Sequence, residues 1–426
     1  MPDIEQTIRE LTDYGLSKRG AQQASGQSIE DAFIRPQLEI PGPDWPTFFE
    51  VATQRFDDDL NLVDVRPYAK LPASTDALKI HQQRFLSIQP SVLSAGSDSE
   101  TCIEAPLDGT VPVDYLKSLI DDAHDIVWQR LGKVDRLTID LIEEPYDELN
   151  VLDRLIEIHG LNTQGPTIYK IAKRALLLRT RSIEDEDSMA IGASRVGGSP
   201  DLPVETTWPT HRTGKPLAFL AQFDLSQIAD HPHSVVGLPA DGLLSVFSVW
   251  GWIDDEDWPN IPTDESATEE TNGWNVLIHT PPGVKLQRRE TPSGIHRFKP
   301  AWVEPQPILS LPHHRQEPEL ASLNWSDDIH QQFASMAARF GMVRGRHLQK
   351  QRPTRNSSHI LGGYARFMQE FDDEVLQKGL TMLLEIGSDS NAGMYWYVCG
   401  DLIFYVDPNA LANGRFERVW CTCQGV

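Results

Sequence analysis

The sequence predicts an α+β protein. A mainly helical α+β N-terminal domain precedes a C-terminal domain built on a mostly antiparallel sheet with few helices and a candidate internal duplication. Three observations carry this. Apolar residues recur at helical spacing before residue 183, and short aromatic and β-branched runs dominate after residue 189. Between them lies "IEDEDS", residues 183 to 188, whose four consecutive acids mark a linker. The expected division is therefore 1–182, an acidic linker at 183–188, and 189–426.

In the first part, "VDYLKSLIDDAHDIVWQRLG" places Leu116, Leu119, Ile120, Ala123, Val127 and Leu131 on one helical stripe, with Gly132 as a stop. "RLTIDLIEE" alternates as a short strand. "TIYKIAKRALLLR" carries Ile168, Ile171, Ala172, Ala175 and Leu176 at helical spacing. In the second part the strand candidates are "PLAFLAQFDL", "GLLSVFSVW", "WNVLIHT", "TMLLEIGSD", "MYWYV", "LIFYV" and "RVWCTCQ". One helix interrupts them, in "SDDIHQQFASMAARFG". Ser326 caps it, Ile329, Phe333, Met336, Ala337 and Phe340 form its buried face, and Gly341 ends it. The pairs "LAQFDLSQ" with "DGLLSVFSVW" and "LLEIGSDS" with "GDLIFYVD" share one pattern of strand, polar turn, loop, glycine and aromatic strand. A duplicated unit would pack two similar sheets around a shared core.

The chain has 426 residues, 40% of them hydrophobic, enough for sizeable cores. No run of about 18 apolar residues predicts a membrane span. The acidic start "MPDIEQTIREL" lacks the pattern of a secretory signal, and four cysteines are too few for a disulfide framework, so a cytoplasmic protein with reduced thiols is expected. The formal net charge is -24. Residues 1–190 hold 34 acids against 19 bases and the remainder 28 against 19, so the excess is not confined to a tail. Such a surface repels phosphate backbones and argues against general nucleic-acid binding. It suits a basic protein partner, and it also serves solubility.

Two irregular motifs are candidates for function. In "ASRVGGSPDLP", Gly197 and Gly198 open backbone conformations closed to other residues, while Pro200 and Pro203 stiffen the chain. The glycine N–H groups could form an anion nest with Arg195 as the matching charge, or the loop could simply cover a sheet. Asp201 closes the motif, and Trp208 reads as an aromatic plug beside it. In "HILGGYARFMQ", His359 precedes Gly363 and Tyr364; it is either a base or ligand, or a histidine bonded to a backbone carbonyl at a sheet edge. Gln222 and Asp389 sit in or beside the strands that accompany these motifs.

No catalytic residue, cofactor or metal is predicted. His231 with His233, His313 with His314, and Cys421 with Cys423 are each half a site, and no GxSxG elbow is present. Among many carboxylates, Asp201, Asp224 and Asp389 stand at loop or strand ends. Two charge blocks contrast: eight acids and no base in residues 254–270, and six bases and no acid in residues 339–355.

From about residue 189 the chain resembles the bacterial YwqG-like family. The motifs that carry this are "GASRVGGSPDLPVETTWP" with "GKPLAFLAQFDLSQI", then "HILGGYARFMQ", then "LLEIGSD", "MYW", "LIFYV" and "FERVWCTCQ". The family usually shows a Trp-Gly-Asp turn, where this chain interposes Tyr397, Val398 and Cys399. The resemblance implies an α+β domain with no established reaction. Some members occur beside secreted-toxin systems, which makes an immunity role a candidate. The expected function is a non-enzymatic binding protein, an immunity-like partner of a basic toxin. The alternative is an enzyme or small-molecule binder with Arg195, His359 and Asp389 around one cleft. Binding candidates under either reading are Arg195, Gly197, Gly198, Asp201, Trp208, Gln222, His359, Gly363, Tyr364 and Asp389.

Overall fold

A computed structural model of the chain describes residues 4–19, 21–23, 37–39, 47–52, 55–56, 62–64, 68–90, 102–211, 213–229, 237–249, 275–351, 359–366, 379–396, 400–416 and 419–424. The protein is α+β and divides into two compact units, Met1–Asp147 and Glu148–Val426. The boundary thus falls earlier than the acidic run at 183–188. The reason is the segment 173–182, which is a central strand of the second unit's sheet and cannot belong to another domain.

In the first unit, α1 (Ile4–Leu16) is followed by β1 (Gln22–Gln23), β2 (Gln37–Glu39), β3 (Thr47–Ala52), β4 (Arg55–Phe56), β5 (Leu62–Asp64) and β6 (Tyr68–Pro72). Then come α2 (Thr75–Arg84), β7 (Gln89–Pro90), β8 (Cys102–Pro106), α3 (Val113–Arg130) and α4 (Lys133–Glu143). The sheet runs β1-β2-β3-β6-β8-β7, with β4 and β5 paired separately. Leu116, Leu119, Ile120, Ala123 and Val127 of α3 are buried as their spacing requires, in one core with Phe49, Val51, Leu71 and Ile103 of the sheet. The strand expected in "RLTIDLIEE" is instead helix α4. Asp135, Thr138, Ile139 and Ile142 are all buried, and they stand at i, i+3, i+4 and i+7, one helical face that the alternation of Leu137, Ile139 and Leu141 disguises.

The second unit begins with α5 (Glu148–Ile158), α6 (Gly165–Ile171) and β9 (Lys173–Ser182). The single helix expected over "TIYKIAKRALLLR" is really two elements. Ala172 breaks the helix in an extended conformation, and Ala175 to Leu178 are buried on both faces of the strand that follows. A run buried on both sides has no period to read. Next come β10 (Arg195–Val196), β11 (Asp201–Pro203), β12 (Ala218–Asp224), α7 (Leu225–Ala229), β13 (Leu243–Ser248), β14 (Asn275–Thr280), β15 (Leu286–Arg288) and β16 (Ala301–Ser310). The chain ends with α8 (Pro318–Ala321), α9 (Asp327–Gln351), β17 (His359–Leu361), β18 (Thr381–Gly387), β19 (Asp401–Val406), α10 (Pro408–Ala412) and β20 (Val419–Gln424). Helix α9 runs past the expected stop at Gly341. Val343 and His347 continue its buried face beyond that glycine, and a Cβ at Gly341 would meet nothing.

Ten antiparallel strands form one sheet in the order β14-β13-β12-β10-β16-β9-β17-β18-β19-β20. This order is the duplication. β9 and β16 pair along their whole length, from Ala301↔Ser182 to Ser310↔Lys173. On their outer sides β16 takes β10, and β9 takes β17. The registers beyond match step for step: Asp224↔Leu243↔Thr280 in one half, Gly387↔Asp401↔Gln424 in the other. Each half carries a register shift at the same place, Phe219/Ala221 and Met382/Leu384. The Gly197 N–H donates to Leu220 O at 2.7 Å, and the Gly362 N–H to Leu383 O at 2.8 Å. Each half lends its first strand to the other, so neither sheet is complete alone. The shared interior includes Leu176, Leu178, Val196, Phe223, Leu384 and Phe404; a second cluster with Leu177, Ile360, Ile403 and Trp420 lies on the opposite face.

Candidate functional site

In both halves the chain leaves a short strand, turns through two left-handed glycines and crosses the next strand. The φ angles are 66° and 76° at Gly197 and Gly198, and 73° and 84° at Gly362 and Gly363. A Cβ on Gly363 would come within 3 Å of Ser310 and Ala175, so the bend also needs the close approach.

The first bend is fastened from inside. Arg195 Nη1 donates to Asp201 Oδ2 at 2.9 Å, and Nη2 donates to Ser199 O. Asp201 Oδ2 also accepts from the Gly192 N–H at 2.8 Å and from Gln222 Nε2 at 3.0 Å, while Arg288 Nε donates to Oδ1 at 3.1 Å. Gln222 also bonds the backbone, its Oε1 accepting from the Asp201 N–H and its Nε2 donating to Ala193 O. Burial pushes the Asp201 carboxyl up, but the bonds from Arg195, Gly192 and Gln222 outweigh it and hold the group below the usual carboxylate range. The glycine N–H groups are taken too. Gly198 donates to Phe298 O at 2.9 Å, and the next N–H, Ser199, donates to Glu186 Oε1 at 2.6 Å. The anion in this nest is the chain's own carboxylate. Trp208 is half-buried, its Nε1 donating to Leu217 O at 2.9 Å and its ring edge-on to Phe247.

The second bend repeats the plan with other residues. The Tyr364 N–H donates to Ser310 Oγ at 2.9 Å and the Tyr364 hydroxyl to Ile171 O at 2.7 Å, with Lys173 over its ring. His359 Nε2 bonds Asp389 Oδ2 at 3.1 Å, a side-chain carboxylate and not the backbone carbonyl of the second reading. Asp389 Oδ1 accepts from the Asn391 N–H at 2.8 Å. Burial raises the Asp389 carboxyl, and the bonds from His359, Thr180 and Asn391 more than offset this.

Arg195, Asp201, Gln222, His359 and Asp389 all have 0% exposure. They form two separate groups, one around Arg195 and one around His359. β10 and β17 stand three strand spacings apart in the sheet, roughly 14 Å. The alternative reading, one cleft lined by Arg195, His359 and Asp389, finds no support in side chains that are all enclosed.

Matching the halves locates a cluster the sequence reading missed. Three residues beyond the glycines stand Asp201 in one half and Arg366 in the other; the side chains that accept their N–H groups are Gln222 and Glu385. Arg366 Nε donates to Glu385 Oε1 at 2.7 Å, and its Nη2 lies 3.9 Å from Asp401, where the first half has Leu243. Glu385 is fully buried, but the Arg366 side chain is 36% exposed. Burial pushes the Asp401 carboxyl up, Glu385 adds to this and Arg366 opposes it, leaving it at about 7. A partly exposed guanidinium held by Glu385, beside a carboxyl whose proton burial and Glu385 hold more tightly than usual, is a charge cluster that the first half lacks. The signal was present in the quoted motifs, as Glu385 inside "LLEIG" and Asp401 opening "DLIFYV": charges at strand positions where the other half is neutral.

The remaining candidates carry less chemistry. Cys421 and Cys423 share one face of β20, toward the shared interior. Burial pushes both thiols up, Cys423 to about 12. In a Cys399→Ser background, the folded protein is accordingly expected to leave Ellman's reagent nearly unreacted at pH 8, and unfolding to release the thiols; rapid reaction of folded protein would contradict the enclosure. Among the described residues, no three His, Cys, Asp or Glu side chains gather for a metal ion, and no helix is long and apolar enough to cross a membrane. In the basic stretch, Arg339 bonds Ser335 and Arg344 bonds Leu309 O, 3.7 Å from Glu148. His231, His233, residues 254–270, Arg352, Arg355 and the interposed Tyr397, Val398 and Cys399 lie outside the described residues.

Among curated proteins none matches this chain. One similar solved structure is that of a Deinococcus radiodurans protein with the domain DUF419, at 15% identity over 33% of this chain and 92% of that one. Its TM-score of 0.24 is too low to bear on the fold. The family described as a domain of unknown function, DUF1963, matches residues 194–425, which span both glycine bends and every strand from β10 to β20. This chain belongs to the DUF1963 family.

Proposed function

We propose that the protein is a non-enzymatic binding protein whose acidic surface engages a basic protein, as an immunity protein engages a basic toxin, and that it is a YwqG-like member of its family. The observation that carries this reading is the complete enclosure of Arg195, Asp201, Gln222, His359 and Asp389. Side chains sealed inside the sheet's own bends are a framework and cannot touch a substrate. What remains available to a partner is the surface, and its charge is strongly one-sided. Residues 1–147 hold 27 Asp and Glu against 13 Lys and Arg, a net -14; residues 148–426 hold 35 against 25, a net -10. Such a field speeds encounter with a basic partner and weakens with salt. In a pull-down from lysate, a basic protein is expected to be retained at low salt and released at high salt. Recovery of no partner at low salt overturns the reading.

A second reading rests on Arg366 and Asp401. This pair supports a small anionic ligand with an acid or base at its side. A thermal-shift screen against carboxylates and phosphates tests it, because a ligand of the folded state raises the melting temperature. A shift that survives Arg366→Met would exclude this site.

A further inference from the structure

We propose that one end of the β11–β15 ribbon is the docking surface for a basic protein segment that also presents an apolar side chain; this rests on the basic-partner reading above. The ladder of the ribbon runs from Asp201↔Arg288 to Pro203↔Leu286, so Val204 and Val284 emerge together at its far end. Val204 is 47% exposed, Val284 42% and Ile191 51%. Leu286 is half-buried and closes the ladder at this end; a Cβ on Gly192, the chain neighbour of Ile191, would stand 3.6 Å from its Cδ1. Single exposed apolar residues are ordinary on a protein surface, but several gathered at one spot mark a contact site.

The charge around this patch says what covers it. Glu184, Asp185 and Asp187 are exposed on the loop that leads into Ile191, and Glu205 is exposed next to Val204 at the patch's own end of the ribbon. The acidic run is tied to the ribbon, because Arg288 donates to Glu186 O and to Met189 O at 3.1 Å and lies 3.8 Å from Asp187. Of the nearby bases, Arg288 is committed to these bonds and to Asp201, Arg289 to Val204 O and Thr206 O, and Arg297 to Glu186 and Ser199 Oγ; Lys285 stands beside Val284. The run read in the sequence as a linker is thus the acidic rim of an apolar patch. A second copy of the same patch would bring like charges together, and an uncharged partner would leave the rim without a counterpart. A basic segment satisfies both parts.

The test uses the full chain and two labelled peptides of equal length and charge, an amphipathic Lys/Leu helix and a Lys/Ser control, measured by fluorescence anisotropy at low salt. The chain is expected to prefer the Lys/Leu peptide by about tenfold or more, since burying one valine-sized group is worth about that much. Val204→Ser with Val284→Ser should abolish the preference without weakening the Lys/Ser peptide. Glu184→Lys with Asp187→Lys, which spares Asp185, whose Oδ1 accepts from the Asp187 N–H at 3.0 Å, should weaken both. Both variants alter exposed side chains, and unchanged melting temperatures confirm folding. A preference that survives the valine changes overturns the docking surface but leaves the basic-partner reading standing. Failure of both peptides to bind the unaltered chain overturns both.

Discussion

Arg195→Ala is expected to remove roughly 3–5 kcal/mol of stability from the second unit, the usual result of deleting one partner of a buried ion pair. The variant leaves Asp201 ionised with no side-chain exposure, strips Ser199 O of its donor and removes the charge 3.6 Å from Glu186. Gly192, Gln222 and Arg288 would still bond the Asp201 carboxylate, which is why the loss should not be larger. Arg195→Met combined with Asp201→Leu should cost less than the sum of its single changes, because the second removes the charge that the first strands. Denaturation followed by tryptophan fluorescence suits the measurement, since nine of the eleven tryptophans lie in residues 148–426. A loss below about 1 kcal/mol would mean that the glycine bend does not depend on Arg195. The arginine would then be available to a ligand, and the motifs would no longer count as framework.

The sheet was legible in the sequence because most of its strands are short, aromatic and bounded by glycines. The duplication was legible for the same reason: "LAQFDLSQ" and "LLEIGSDS" do fall on β12 and β18, at equivalent registers. What resisted reading was the centre of the sheet. β9 is buried on both faces, so "KRALLLR" carries no alternation, and its attachment to a preceding helical turn let one helix be drawn through both. The glycine motif is ambiguous for a different reason. Irregularity in "ASRVGGSPDLP" suits an anion nest or a cover over the sheet, because left-handed glycines and a buried Arg–Asp pair are also what a chain needs to turn sharply over a sheet. The two uses cannot be told apart in one copy. Comparing the halves separates them, because what both bends share is required by the turn. What they do not share, such as Asp401 against Leu243, is the better place to look for function.

Glu317→Gln is expected to stabilise the protein above neutrality and to do nothing in acid. Glu317 is enclosed beside α8, and burial pushes its carboxyl from 4.5 up to about 7, with Glu319 adding to the rise and Lys173 opposing it. The folded state therefore holds the proton more tightly than the unfolded chain does. The stability it contributes is fully present below pH 4.5, falls as pH rises towards 7 and is lost above that. A tenfold change in proton affinity is worth about 1.4 kcal/mol, so the ionised carboxylate costs about 3 kcal/mol at pH 8, and glutamine removes that cost. Asp401, pushed from 3.8 to about 7, acts in the same direction. Other groups oppose them. His313 is held down to about 4 by burial and by the charges of Arg344 and Arg366, so its contribution is present above 6.5 and lost as pH falls towards 4. Asp201 and Asp389, both held low, lose theirs only below the ordinary carboxylate range. His313 thus works against stability on the acid side, and Glu317 and Asp401 on the alkaline side. Urea denaturation of both proteins at pH 4 and pH 8 measures the difference directly. If glutamine changes stability equally at the two pH values, the Glu317 carboxyl is not enclosed, and the alkaline limit has another cause.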